Sequence, residues 1–108
     1  MAKATLIAMS SPTGPEQEDD FNDWYENTHI PQLREAIPSI SNVTRYREVD
    51  PTGVSQTIRY VAVYELDTDD VAAAAGQMGA AGQGGKLDLT TTMDMTSNPP
   101  VLIWARGV

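Results

Sequence analysis

Tyr25 and His29 stand four residues apart in the stretch FNDWYENTHIPQLREAIPSI, residues 21–40, a spacing that puts both side chains on one face of a helix. His29 is the only histidine in the chain, and an unperturbed imidazole titrates near neutrality, so it is the natural general acid or base. The phenol of Tyr25 can share a hydrogen bond or a substrate with it. Together the pair would supply proton transfer, with the phenol orienting substrate or stabilising an enolate-type oxyanion. A competing account of His29 is structural: in the last turn of a helix an imidazole hydrogen-bonds free carbonyls and complements the helix dipole. Pro31 cannot donate to the carbonyl of Asn27 and disfavours helical geometry at Ile30, so the helix is expected to kink or stop beside His29.

The aromatic residues divide between core and ligand wall. Phe21 and Trp24 read first as core, whereas a buried Tyr25 needs a partner for its hydroxyl. Tyr46, Tyr60, Tyr64 and Trp104 fall in strand-like segments and, with Trp24, are the candidates for contacting a bound ligand. Glu26-x-x-His29 has the i, i+3 spacing of carboxylate-bridged di-metal sites, but the further carboxylates of such a site have no counterpart on a facing helix, so no metal is assigned. Acidic residues from Glu16 to Asp20 compensate the positive end of a helix dipole. The chain contains no G-x-G-x-x-G, P-loop or nucleophile elbow, which excludes the familiar nucleotide sites.

These residues sit in a chain of 108 residues with fifteen acidic and seven basic side chains and no cysteine. The length suits one domain, residues 1–108. A formal charge of -8 and the lack of a basic stripe make nucleic acid and anionic membranes poor partners. Disulfides, thiolate nucleophiles and Cys-containing zinc sites are excluded, and a reducing compartment is compatible. The N-terminus lacks the apolar run of a signal peptide, and no stretch approaches the ~18 apolar residues of a membrane span. A soluble, cytoplasmic protein is expected.

Periodicity supplies the elements. Residues 4–10, ATLIAMS, form a strand, and SPTGP after it is a loop. From Pro15 the pattern is helical, with Phe21, Trp24, Tyr25, Thr28, Leu33 and Ile37 recurring on one face. Residues 40–49 and 57–66 alternate and read as an antiparallel hairpin. Asp67 to Asp70 provide N-cap candidates for a second helix through VAAAAGQMGAAGQGG, whose alanines favour helicity and whose glycines oppose it. Gly76, Gly79 and Gly82 recur every third residue and are read as letting that helix lie close to the sheet, a mobile flap being the other use of the same composition. Residues 86–98 lack a period, and Pro99-Pro100 introduce a last strand, VLIWARGV.

The order is β-α-β-β-α-β: an α+β, ferredoxin-like arrangement with a four-stranded antiparallel sheet and two helices on one face. In the third strand Ile58, Tyr60, Ala62, Tyr64 and Leu66 oppose Arg59, Val61, Val63 and Glu65, so both sides are substantially apolar. Two helices cover one face only. A symmetric homodimer packed sheet to sheet would cover the other and enclose space between the subunits.

Phe21, Trp24, Tyr25, His29, Pro31, Leu33, Pro38 and Arg45-Tyr46-Arg47 together resemble the signature of the dimeric α+β barrel superfamily in its EthD-like branch. That pattern runs F-x-x-W-Y-x-x-x-H-x-P-x-L, followed by Pro and an Arg-aromatic-Arg strand. This chain departs from it at Pro38-Ser39-Ile40, where the family usually has Gly-Phe after the proline. The resemblance implies that His29 and Tyr25 edge a barrel cavity holding a small hydrophobic, aromatic or polyketide-like ligand. It also implies cofactor-independent chemistry by an isomerase, cyclase, decarboxylase or related lyase. Cofactor-free monooxygenases and non-catalytic binding proteins share the fold, which does not choose among them.

Overall fold

Alternation in ATLIAMS places apolar side chains on both sides of a strand, and the computed structural model, which describes residues 3–108, uses both sides. Met1 and Ala2, at the head of the N-terminal segment, lie outside the described residues. Strand β1 (Ala4–Ser10) buries Ala4, Leu6, Ala8 and Ser10 and leaves Thr5, Ile7 and Met9 half-buried on the opposite face. β2 (Ile40–Arg47), β3 (Tyr60–Leu66) and β4 (Val101–Arg106) complete an antiparallel sheet of order β2-β3-β1-β4. The register stacks Val43, Tyr64, Leu6 and Trp104 in one row across the four strands. The predicted hairpin therefore forms, with strands shorter than the apolar runs that announced them. Between them Asp50 organises a turn, its carboxylate accepting from the backbone of Thr52 and Ser55 and from the Thr52 hydroxyl. A register shift between Ile40 and Asn42 leaves Ser41 as a bulge at the start of β2.

Between β1 and β2 the chain is helical in three styles. A 3-10 turn (Pro15–Gln17) leads into α1 (Glu18–Trp24), a π-helical turn follows (Tyr25–His29), and α2 (Ile30–Ala36) completes the run. Of the kink or stop expected beside His29, the stop is corrected: the helix runs on through Pro31, and the irregularity is the π-turn that ends at His29. Pro31 lies in the first turn of α2, where a missing N–H is tolerated. The adjustment falls upstream, where Ile30 donates its N–H to the carbonyl of Tyr25, the i→i+5 bond of a π-turn. Phe21, Tyr25, Leu33 and Ile37 of this run are buried against Leu6, Tyr64 and Leu66. Each such large apolar side chain contributes about 1.5–3 kcal/mol on burial.

Helix α3 (Val71–Gln83) is capped by Asp70, whose side chain accepts from the Ala73 N–H at 3.0 Å. It packs through Ala74 and Ala81, which are buried. The reading of its glycines as a close-approach surface is corrected. A Cβ at Gly76 or Gly79 would meet nothing within 4 Å, and one at Gly82 would reach only the Leu87 side chain at 4.0 Å. The small residues that seat the helix are the alanines, a helical face with period seven; the glycines face away.

The sheet face remote from the helices carries Ile7, Met9, Val61 and Val63, all half-buried, with Val101 41%, Ile103 43% and Tyr46 58% exposed. No helix among the described residues is long and apolar enough to cross a membrane.

Candidate active site

The π-turn decides which side chains meet. An α-helix turns about 100° per residue, so residues five apart diverge; the wider turn brings them into line. Trp24 stacks on His29 with ring centroids 4.5 Å apart and planes 19° from parallel, and Tyr25 meets His29 edge to face at 4.9 Å. Across the core, the Tyr64 hydroxyl donates to the Tyr25 hydroxyl at 3.1 Å. Tyr25, His29 and Tyr64 then share the wall of one pocket of about 170 Å³. Leu6, Ala8, Met9, Ser10, Leu33, Met78, Met93, Pro100 and Leu102 form the rest of it.

This pocket lies within one chain, between the sheet and the helices. Tyr25 and Tyr64 both project to the helix side, so the pocket they line is a different space from the one expected between two paired sheets. Larger surface hollows of about 270 and 340 Å³ occur at the β2–β3 loop and beside α2; neither is lined by a predicted site residue.

Four of the predicted ligand contacts stand elsewhere. Trp24 backs His29 without lining the pocket. Tyr60 points toward α1, donating to Glu18 and accepting from Asn22. Tyr46 falls on the helix-free face and is exposed. Trp104 packs against the margin of the core without reaching the pocket. Tyr60 and Tyr46 miss for different reasons: Tyr60 shares the face of Tyr64 but lies at the strand end beside α1, whereas alternation puts Tyr46 on the opposite, helix-free face.

Burial sets the protonation states. His29 is held down to about 4, first by loss of hydration and second by the nearby Arg45 cation, so its imidazole is neutral at pH 7. Its Nδ1 is buried without a hydrogen-bond partner. Among the described residues no carbonyl accepts from the His29 side chain, which removes the support for a capping role. Tyr25 is raised above the ordinary phenol range, chiefly by burial, and Tyr64 is raised further by burial and by Tyr25. Both therefore act as neutral donors. The Ser10 hydroxyl lies near enough to Tyr25 to favour its ionised form yet has no hydrogen-bond partner.

Arg45 forms the floor behind Tyr25. Its guanidinium carbon lies 4.2 Å from the Tyr25 ring centroid, 4.9 Å from that of Tyr60 and 5.8 Å from that of Phe21. Nη1 meets Glu26 Oε1 at 3.0 Å, so the carboxylate of the Glu26-x-x-His29 pair is engaged by a cation. Among the described residues no cluster of three or more His, Asp or Glu side chains could hold a metal ion.

Sequence reasoning missed Ser10, Met78, Met93 and Arg45. Ser10 had a legible signal, since it is the polar terminus of the face that carries Ala4, Leu6 and Ala8. Met93 had none. It comes from the unperiodic segment before β4, which is held by the Pro12–Met93 bridge and by Asp94 accepting from the backbone of Thr96, Ser97 and Asn98.

No family model matches the chain, and neither does any curated protein. Among solved structures it is similar to an ethyl tert-butyl ether D (EthD) family protein from Bacillus halodurans C-125. The two share 23% identity and a TM-score of 0.61 over 100% of each chain. It is also similar to a hypothetical Arabidopsis thaliana protein, at 12% identity and a TM-score of 0.51, covering 100% of this chain and 90% of that one. With the sheet order and the one-sided helices already described, these likenesses make the fold EthD-like: a ferredoxin-like α+β sandwich with a four-stranded antiparallel sheet.

Proposed function

We propose that the chain belongs to the EthD-like branch of the dimeric α+β barrels and acts on a small hydrophobic or aromatic molecule by proton transfer at His29, without a cofactor. The observation that carries this reading is a neutral imidazole, with an unpartnered Nδ1, on the wall of an apolar pocket beside a neutral phenol. A neutral imidazole accepts a proton first. Its imidazolium, disfavoured by burial and by Arg45, would give the proton back readily, which suits an isomerase or a related lyase. Tyr25, held by Tyr64, would orient the substrate or donate to the developing oxyanion.

Proton abstraction can be tested without knowing the natural substrate. Small ketones incubated in D2O with the protein should exchange their α-protons faster than in buffer, as followed by NMR, and His29→Ala should return the rate to that of buffer. Wild-type exchange at the buffer rate would remove the catalytic reading and leave a binding protein, which the apolar pocket favours independently of His29.

The helix-free sheet face supports a further part of the proposal. Ile7, Met9, Val61, Val63, Val101 and Ile103 form a contiguous apolar surface by strand register, and an equivalent surface on a second copy would cover it.

A further inference from the structure

Taking the pocket beneath the π-turn as the site, we infer that its ligand is an uncharged molecule of about one ring, carrying a carbonyl oxygen held jointly by the hydroxyls of Ser10 and Tyr25. Volume sets the size. The pocket holds about 170 Å³, close to the roughly 150 Å³ of an apolar cavity that accepts benzene and below the ~300–1,000 Å³ range of sites for drug-sized ligands. A multi-ring polyketide does not fit. The wall sets the charge: no Lys, Arg, Asp or Glu lines the pocket, so an ion entering it would lose hydration without gaining an opposite charge.

The hydrogen-bond inventory sets the functional group. Tyr64 gives its proton to Tyr25, which leaves the Tyr25 proton free, and among the described residues no acceptor takes it. A phenol that accepts one hydrogen bond is the stronger donor of the next. Ser10 is 3% exposed and its hydroxyl has no partner, a state that buried hydroxyls rarely keep. Two neighbouring hydroxyls, close enough for Ser10 to act on Tyr25 but without a hydrogen bond of ordinary geometry between them, thus line one apolar pocket with protons to give. A carbonyl oxygen offers two lone pairs and satisfies both, whereas a hydrocarbon of the same shape satisfies neither.

The test uses four probes titrated into the full chain and followed by NMR: cyclohexanone, methylcyclohexane, cyclohexanecarboxylate and 2-decalone. Cyclohexanone should bind at least ~10-fold more tightly than methylcyclohexane, and the carboxylate and the bicyclic ketone should bind more weakly than either. Ser10→Ala and Tyr25→Phe should each shrink the ketone preference several-fold while leaving methylcyclohexane affinity in place. Leu102→Trp, at the half-exposed lip, should weaken all binding. Equal affinity for ketone and hydrocarbon, an undiminished preference in both hydroxyl variants, or tighter binding of the carboxylate or the bicycle would overturn the ligand class and leave the pocket standing as the site. Binding unaffected by Leu102→Trp, or no binding of any probe, would overturn the pocket itself.

Discussion

The indole of Trp24 lies flat on the imidazole of His29, centroid to centroid 4.5 Å, across a turn that an α-helix could not have closed. Loss of hydration on burial, followed by the Arg45 charge, holds His29 near 4, and the stacked indole covers one face of the ring. Because the chain has a single histidine, its ring-proton NMR signal needs no assignment. It should titrate with a midpoint near pH 4, and Trp24→Leu, which opens the ring to water, should move the midpoint up by about one unit toward 6.5. A wild-type midpoint between 6 and 7 would show that the imidazole is hydrated and would undo the electrostatic account of the site.

Linkage converts that titration into stability. The folded chain binds the His29 proton at about pH 4, while the unfolded chain binds it near 6.5. Between these values the unfolded state carries more protons, so stability rises with pH, is complete above about 6.5 and is lost as pH falls toward 4. At about 1.4 kcal/mol per unit the full effect is roughly 3 kcal/mol. Urea denaturation at pH 4.5 and pH 7 should therefore give a smaller difference in His29→Gln than in the wild type, in which Glu18, lowered chiefly by Arg47, adds acid sensitivity of its own. An identical difference in both proteins would mean that His29 is not linked to folding.

The layer order was legible in the sequence because period two and period 3.6 are local signals, strong in ATLIAMS, in YVAVYEL and from Phe21 to Ile37. The His29–Tyr25 pair was legible for the same reason. The π-turn was not, since nothing in YENTH distinguishes one more residue in a turn from an ordinary helix; only Pro31 marks the vicinity, and a proline predicts a kink or a stop without saying which. Nor was the pocket on the helix side. That depends on how far α1, α2 and α3 stand off the sheet, a sum of side-chain volumes such as Ala74, Ala8 and Met78 with no periodic signature.

Helix α3 carries a removable weakness. Gly76 and Gly79 sit inside it with open space where a Cβ would go, and neither has a positive φ. Alanine at each should stabilise the chain by about 0.5–1 kcal/mol, through higher helix propensity and a less flexible unfolded state. The gain is read as an upward shift of the urea midpoint at constant slope. A loss of stability on substitution would reveal a contact on this face that the single chain does not contain.

The phenol relay makes a sharper demand. Tyr64→Phe keeps the ring, which is fully buried, and removes the donor to Tyr25. About 1 kcal/mol of stability should be lost with that hydrogen bond. Because Tyr25 then loses its polarising partner, α-proton exchange catalysed by the protein should slow several-fold while His29 keeps its titration midpoint. Unchanged exchange would mean that the pair is a core hydrogen bond without a part in the chemistry.

Ile7 lies at the middle of the helix-free face, opposite Val63 on one side and Ile103 on the other. A lysine there would place a charge at the centre of any sheet-to-sheet contact and could remain hydrated in a lone chain. The wild type should sediment as a dimer at micromolar concentration, with a melting temperature that rises with protein concentration, since association stabilises the folded state by mass action. Ile7→Lys should sediment as a monomer whose melting temperature is independent of concentration. The His29 titration should survive in that monomer, because the pocket is built by one chain. A wild type that is monomeric under these conditions would remove the pairing proposal and leave the exposed apolar surface to another partner. A variant that loses the His29 shift along with the dimer would instead show that the second copy completes the site.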